Sequence, residues 1–395
     1  MAGRLPMGQK ELLRVKVLEM VRQGQLTLKA ASVMLRVSYR QSKRLYSTFR
    51  KEGDAGLIHG NYGKPSNNRT AEPIRESALK AYRERYSDFG PTFAAEKLAE
   101  EEGIQISVSV LRRLLIEAGE WEGSRRAKEY RSRRERRECF GELVQFDGSH
   151  HKWFEGRGPS CCLMTMIDDA TNTRLSCFYE EETIEAGMSV FSLWIMSYGI
   201  PEALYCDKKN AFVLTREPTD LELLAGITEP KSHFGRACDK LGVQVIAANS
   251  PQAKGWVERN HVLDQDRLVK ELRLAGISTI AEANCFLEKT YLPKMNKKFS
   301  FPAFSPHDAH VPLGNVSLKD IMCLEYHRTI GNDFVVRFET RLFQILKSNK
   351  NLPHPKDKVT IRVLLDGTLS ILFKGIKLLV KELTNTDNSK PQKVA

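Results

Sequence analysis

The sequence predicts a multidomain α/β protein with helical modules at its N-terminus, a mixed-sheet core and a small C-terminal β-barrel. Apolar residues recur at helical spacing through the first third of the chain. Short strand-like runs alternate with helical segments from residue 142, and alternating apolar and polar residues follow residue 327. The 395 residues, of which 41% are apolar, are enough for about two to four domains with their own cores.

The chain is strongly basic, with 61 Lys and Arg residues against 49 Asp and Glu residues and a net charge of +12. This surplus favours polyanionic partners, nucleic acid first. The sequence contains no apolar run of about eighteen residues and no signal-peptide core, so we expect no membrane span and a cytoplasmic protein. The eight cysteines form no CxxC pair or zinc-finger spacing, and we expect most of them to be small core residues rather than a disulfide framework.

Residues 1–60 are predicted to form a helix-turn-helix DNA-binding domain. The pattern indicates helices over Lys10–Gln23 and Thr27–Leu35, and a third that Ser38 caps with Gln41 three residues later. The turn between the last two contains Arg36, at a position where glycine is common. The residues expected to contact DNA are Tyr39, Arg40, Lys43 and Arg44. The alternative is a plain three-helix bundle with a solvated basic face.

Residues 70–122 are predicted to form a second helix-turn-helix-like domain, after a linker rich in Gly, Asn and Pro at 60–70. Its middle helix, which begins at Pro91, is acidic. Contact with DNA would therefore depend on Arg112 and Arg113 in the third helix, and the alternative is a spacer.

Residues 123–138 read as a basic linker. Eight Lys and Arg residues, Arg125 and Arg126 among them, stand against two acids between positions 125 and 137. Such a run repels itself unless phosphates neutralise it, so we expect it to lie along DNA. A solvated helix is the alternative.

Residues 139–312 are predicted to form a catalytic core. The predicted strands are Leu143–Phe146, Ser160–Ile167, Arg174–Phe178, Ala203–Cys206 and Val243–Ala247. The predicted helices are Thr183–Tyr198, a segment near Phe234–Leu241, and a long helix that begins at Glu258. The order β-β-β-α-β-α-β-α is that of the ribonuclease-H-like fold, in which the first strand lies centrally, next to the fourth.

Three acidic residues stand at the points where this fold would bring them together. Asp147 and Asp207 directly follow the first and fourth predicted strands, and Glu258 lies at the start of the long helix. The apolar face predicted for that helix also includes Glu258, His261 and Gln265, and its apolar members are Val257, Val262, Leu268, Val269 and Leu272. Carboxylates in such surroundings are costly unless a cation pairs with them, and hard divalent ions are the usual partner. Two such ions about 4 Å apart are the machinery of phosphodiester cleavage and transfer.

Four segments carry a specific resemblance: DGSHH, MIDDATNTR, YGIPEALYCDKKNAF and NSPQAKGWVERNH. They look like successive motifs of DDE transposases with a retroviral-integrase-like catalytic core, and the whole pattern most resembles bacterial insertion-sequence transposases of the ISNCY group. The resemblance implies that Asp147, Asp207 and Glu258 are the catalytic triad and bind two Mg²⁺ or Mn²⁺ ions per active site.

The same resemblance implies an activity and partners. It implies a transposase in the bacterial cytoplasm that binds terminal inverted repeats, cleaves the 3′ ends and transfers them into target DNA. Its partners would be transposon-end DNA, target DNA and further copies of itself, as a homodimer or higher oligomer on DNA. Two rivals remain open: a catalytically inactive or domesticated sequence-specific DNA-binding protein, and a nuclease that stops at nicking. No P-loop pattern is present, so we expect no nucleotide cofactor.

Other residues near the triad have weaker assignments. The separation of 51 positions between Asp207 and Glu258 (258 − 207) exceeds the family's usual spacing, and an insertion at 215–232 explains the excess. By the same resemblance, Gln265 stands where many relatives carry a basic residue, and Arg267 or Lys270 is expected to contact DNA in its place. Lys254, with Ser250 and Trp256, is predicted to contact DNA from the loop before Glu258. The resemblance implies a structural role for Asp168 and Asp169, with a metal-ligand role as the alternative. His150 and His151 would occupy a loop position near the phosphate or cap the strand turn.

Residues 320–385 are predicted to form an SH3-like β-barrel. DFVVRF, RLFQIL, KVTIRVLL and LSILF read as strands, and Asp366-Gly367 between the last two is a hairpin signal. A DNA or protein contact and a purely stabilising role are both open for this module.

Overall fold

The computed structural model describes residues 7–62, 69–123, 135–207, 212, 214, 216–224, 228–247 and 255–383. The chain divides into two compact units, Met1–Arg125 and Arg126–Ala395. In the described ranges, no helix has both the length and the apolar character needed to cross a membrane.

The first unit begins with three short helices. Thr27 and Ser38 cap two of them, since their hydroxyls accept hydrogen bonds from the amides of Ala30 and Gln41, both at 3.2 Å. Arg36 has a φ of 51°, the left-handed backbone that makes glycine common at such a turn. The three helices and the Ser38 cap are confirmed, and the helix-turn-helix assignment stays a prediction. The bounds are α1 (Gln9–Arg22), α2 (Leu28–Met34) and α3 (Tyr39–Glu52).

Three further helices follow: α4 (Glu72–Arg85), α5 (Pro91–Glu101) and α6 (Val108–Glu117). Acidic side chains at the end of α5 form ion pairs with basic residues of the same unit. Glu101 lies 3.0 Å from the buried Lys97 ammonium and 3.0 Å from Arg85, which also pairs with Glu102. The acidic surface seen in the sequence is thus partly neutralised by neighbouring basic residues.

The second unit contains a five-stranded mixed sheet. Its strands are β1 (Val144–His151), β2 (Cys161–Asp168), β3 (Arg174–Tyr179), β4 (Ala203–Cys206) and β5 (Gln244–Ala247). Their order is β3-β2-β1-β4-β5, with β1–β3 antiparallel and with β4 parallel to both β1 and β5. The predicted central position of the first strand, next to the fourth, is confirmed.

Helices cover both faces of this sheet. One core holds Phe146, Phe191, Trp194 and Phe234, on the face covered by the helices that begin at Ile184 and His233. The other holds Trp153, Leu163, Leu268 and Tyr291, on the face covered by the helix that begins at Gly255 and the two helices after it. The helices are α7 (Ile184–Tyr198), α8 (Asp220–Leu224), α9 (His233–Leu241), α10 (Gly255–Leu274), α11 (Ile280–Phe286) and α12 (Leu292–Phe299). The short α8 lies within the predicted insertion.

Two features of the core differ from the predictions. Strand β1 does not end at Asp147 but continues to His151, because its second half pairs with β2 as far as His151 opposite Cys161. His150 and His151 are therefore strand residues, not loop or turn-cap residues. Helix α10 begins at Gly255, before Glu258, and turns Val262 outward with 66% exposure while Asp264 is buried. The face of α10 that is buried therefore includes Asp264, which forms a buried ion pair with Arg174.

The C-terminal region forms two small sheets around a shared core that includes Val336, Phe343, Ile361 and Ile371. Gly367, with a φ of 80°, turns the predicted hairpin between the strands Lys358–Leu364 and Leu369–Phe373. The sequence missed the strand Cys323–Thr329, whose Glu325 binds α9 through His233 and Lys240. The elements are α13 (Leu318–Ile321), β6 (Cys323–Thr329), β7 (Val335–Phe338), β8 (Arg341–Ile345), β9 (Lys358–Leu364), β10 (Leu369–Phe373), β11 (Ile376–Lys377) and β12 (Val380–Leu383). The SH3-like barrel stays a prediction.

Candidate active site

Asp147 and Asp207 occupy matching positions on neighbouring strands. In the parallel pair of β1 and β4, Val144 lies opposite Leu204 and Gln145 opposite Tyr205. Two residues further along each chain are Asp147 and Asp207, both partly exposed. Because adjacent strands lie about 4.8 Å apart, this register brings the two acidic positions together at one edge of the parallel pair.

Helix α10 is fixed across the same stretch of β1 by two side-chain contacts. The Val257 amide donates to Oε1 of Gln145 at 3.2 Å, and Nε2 of Gln265 donates to the Ser149 hydroxyl at 3.2 Å. Alternate strand residues face the same side, so Gln145 and Ser149 flank Asp147 on the α10 face. The helical turns between these contacts, which include Glu258, therefore lie over Asp147.

His261 is the residue of α10 that reaches Asp147. Its Nδ1 lies 3.7 Å from Oδ2 of Asp147, and the residue is only 7% exposed. Glu258, which is exposed, stands three residues earlier and so on the same side of the helix. Asp147 and Asp207 are thus adjacent through the strand register, and Glu258 lies on the part of α10 that packs on β1. The sequence placed His261 on the packing face but gave it no role.

A buried ionic cluster lies behind His261. Nη1 of Arg174 is 2.9 Å from Oδ1 of Asp264, and the Tyr291 hydroxyl donates to the same oxygen at 2.7 Å. Burial raises the pKa of Asp264, although Arg174 and Tyr291 act in the opposite direction. The cluster joins α10 to β3 and to the segment between α11 and α12. Sequence periodicity missed it because Asp264 falls outside the apolar face predicted for the helix.

Asp168 and Asp169 accept hydrogen bonds from the protein, as expected of structural residues. Asp168 accepts from the amides of Gly141 and Thr171 at 2.9 and 2.7 Å, and burial raises the pKa of this carboxyl. Asp169 accepts from the Arg137 amide at 2.9 Å and from Nε2 of Gln145 at 2.8 Å. A continuous polar path therefore runs from the end of the basic segment to the start of α10.

The end of the basic segment also packs directly on α10. The Arg136 guanidinium lies 3.6 Å from the ring centroid of Trp256 and 4.2 Å from that of Phe301. Such cation–π contacts are worth about 0.5–2 kcal/mol. Trp256, which the sequence placed in a DNA-contacting loop, is instead part of α10 and contacts Arg136.

The predicted DNA-contact residues have different surroundings. Exposed positions on α3 are Tyr39, Arg40, Lys43 and Arg44, and exposed positions on α6 are Arg112 and Arg113. Arg267 is only 7% exposed and lies over the Phe299 ring, 5.6 Å from its centroid. This corrects the expectation for Arg267, because α10 turns its guanidinium into the core. Arg125, Arg126 and Lys254 lie outside the described residues.

Comparison with known proteins identifies the family. A protein of Sinorhizobium fredii named as the transposase y4bF is 36% identical over 379 residues, which are 95% of this chain and 81% of the relative. The transposase for insertion sequence IS1202 of Streptococcus pneumoniae is 30% identical over 412 residues, 94% of this chain and 86% of the relative. The chain belongs to the transposases of bacterial insertion sequences. No protein-family model matches this transposase.

Several solved integrase structures are similar to parts of the transposase. The HTLV-2 integrase catalytic core domain in complex with magnesium is 18% identical with a TM-score of 0.28, over 37% of this chain and 82% of that one. A simian T-cell lymphotropic virus intasome in complex with the PP2A regulatory subunit B56 gamma is 12% identical with a TM-score of 0.34, over 76% of this chain and 97% of that one. The fold assignment of the transposase rests on its own strand order.

Proposed function

We propose that this transposase binds the terminal inverted repeats of its insertion sequence, cleaves the 3′ ends and transfers them into target DNA. The observation that supports the proposal is the parallel register in which Asp147 and Asp207 occupy matching positions of β1 and β4, with α10 held against β1 through Gln145 and Ser149. Family membership supplies the reaction class, polynucleotidyl transfer.

Asp147, Asp207 and Glu258 are the proposed ligands of two divalent ions. Carboxylate oxygens fit Mg²⁺ or Mn²⁺ and not zinc. When bound, such ions supply Lewis-acid activation of the phosphate and of the attacking oxygen. The protein's own part is to fix the donors, and His261 and the Gln145 contact do so by restraining Asp147 and the first turn of α10.

The basic residues are the proposed DNA contacts. Helix α3 would read the repeat through its exposed face, and Arg112 and Arg113 on α6 would add contacts to the same DNA. Arg125, Arg126 and Lys254 would bind the phosphate backbone near the cleavage site. Joining two transposon ends to one target requires a homodimer or higher oligomer on DNA.

The deciding experiment incubates the full chain with Mg²⁺ and DNA that carries the flanking terminal repeats. Cleaved ends and joined products that disappear on chelation support the proposal. Nicked DNA without joined products would favour the nuclease, and specific binding without cleavage would favour the inactive DNA-binding protein. DNA with scrambled repeats is the matched control, and equal processing of both substrates would contradict end recognition.

The double variant Arg40→Ala, Arg44→Ala is expected to weaken binding to the terminal repeat. Loss of an Arg that contacts a base edge should cost about 1–3 kcal/mol of binding free energy. Loss of a phosphate contact should reduce the slope of log affinity against log salt concentration by about one. Affinity measured by fluorescence anisotropy across a salt series checks both. Arg22→Ala, on the exposed end of α1, is the control. Unchanged affinity in the double variant would exclude α3 as the recognition helix.

A further inference from the structure

His150, Cys162 and Glu182 form a cluster of potential metal ligands at the surface of the second unit. His150 and Cys162 lie directly opposite each other on β1 and β2, and Glu182 precedes Thr183, the N-cap of α7. One donor atom from each residue lies within 4.8 Å of the other two. Nε2 of His150 is 3.5 Å from a Glu182 carboxylate oxygen.

This cluster is separate from the candidate active site. Along β1, Asp147 and Ser149 point toward α10, so Gly148 and His150 point to the other face of the sheet, where α7 lies. The three donors are 12 and 20 residues apart in the chain (162 − 150 and 182 − 162), which is why cysteine spacing alone did not indicate them.

Gly148 leaves the room that the cluster needs. A Cβ at this position would lie 2.8 Å from Cδ of Glu182 and 3.1 Å from Sγ of Cys162. Any larger residue would push the carboxylate away from the thiol and the imidazole. Since the backbone here is ordinary strand, close approach of Glu182, not turn geometry, is what glycine permits.

The donor set has the chemistry of a zinc site. One nitrogen, one sulfur and one oxygen suit Zn²⁺, whereas Mg²⁺ requires oxygen donors. Tetrahedral zinc, with bonds of about 2.0–2.3 Å, needs donors roughly 3.3–3.8 Å apart, so a small closure of the observed cluster suffices. Cys162 is buried and the Glu182 side chain is 7% exposed, while the His150 side chain is 53% exposed, which leaves the fourth position open to water.

We propose that His150, Cys162 and Glu182 bind one zinc ion, with water as the fourth ligand. The Cys162 thiol releases its proton to solvent as the thiolate binds. The ion joins the paired ends of β1 and β2 to the start of α7. Since β1 also carries Asp147, the site braces the strand on which the catalytic carboxylate stands.

Cobalt(II) titration of the metal-free full chain tests the proposal. One equivalent of Co²⁺ is expected to produce thiolate-to-cobalt charge-transfer absorption that Zn²⁺ then displaces. Cys162→Ala and Glu182→Gln should lose the band or bind at least about tenfold more weakly. His150→Gln should do the same, and because this side chain is half exposed the variant keeps the fold testable.

Two controls separate this site from its neighbours. Cys161→Ala removes the adjacent thiol on the opposite face of β2, and Asp207→Asn alters the proposed Mg²⁺ site, so both should keep the band. Zinc should also raise the Tm of the unmodified chain and of Cys161→Ala, but not that of Cys162→Ala. Absence of the band in the unmodified chain, or its persistence in Cys162→Ala, would overturn the proposal. Either result would mean that the cluster is an ion pair between His150 and Glu182 beside the buried Cys162 thiol and binds no zinc.

Discussion

Replacing Asp207 with Asn is expected to abolish both end cleavage and joining in Mg²⁺. Asparagine keeps the shape of the side chain but removes the charge that holds a divalent cation. Metal-ion catalysis supplies several kcal/mol of transition-state stabilisation, so the rate should fall by about a thousandfold or more. The measurement is the rate of appearance of cleaved and joined DNA under single-turnover conditions. Binding to repeat DNA, followed by gel shift, should stay close to that of the unmodified chain.

Two further variants sharpen this test. Asp266→Asn is the matched control, because Asp266 is an exposed carboxylate of α10 that pairs with Lys270 outside the site. Asp207→Cys should recover part of its activity in Mn²⁺ but not in Mg²⁺, since thiolate is a poor ligand for Mg²⁺. Full cleavage by Asp207→Asn, with Asp266→Asn unchanged, would remove Asp207 from the mechanism.

Replacing Arg174 with Met is expected to destabilise the second unit by about 3–5 kcal/mol. The substitution leaves the Asp264 carboxylate without its cationic partner, and the Asp264 side chain is only 2% exposed. Urea unfolding followed by tryptophan fluorescence reports on this unit, because Trp153 and Trp194 are both fully buried in its two cores.

The second partner makes the cause testable. Arg174→Met combined with Asp264→Leu should recover most of the lost stability, because replacing both members of a buried pair by apolar groups is often nearly neutral. Arg137→Met breaks an exposed pair with Glu142 at 3.2 Å and should cost about 0–1 kcal/mol. Equal losses for Arg174→Met and Arg137→Met would show that burial of the pair does not matter.

Local signals in the sequence predicted much of the fold. Strand β4 has the predicted bounds, and Thr27, Ser38 and Thr183 cap the helices predicted to begin there. These features depend on residues close in the chain, such as a hydroxyl and the amide three positions later. The strand order followed from the order of elements, and it placed Asp147 beside Asp207.

The failures share a physical cause, which is partners distant in the chain. Asp264 and Arg267 are buried because Arg174, Tyr291 and Phe299 meet them, and none of these is near α10 in sequence. Strand β1 is longer than predicted because β2 supplies hydrogen bonds beyond Asp147. Hydrophobic periodicity depends only on the residues of one segment, so it does not predict contacts with residues that are distant in the sequence.

Because Asp147 lies inside β1 and not at its end, insertions and deletions near it are restricted. One residue inserted into or removed from β1 before Asp147 would turn the carboxylate from the α10 face to the α7 face, because strand side chains alternate. Among the described residues between β4 and α9 there is no strand, so a change of length there alters no strand register, and lengthening such a connection costs little. Insertions should therefore accumulate after Asp207 in related chains, while the distance from Val144 to Asp147 stays constant.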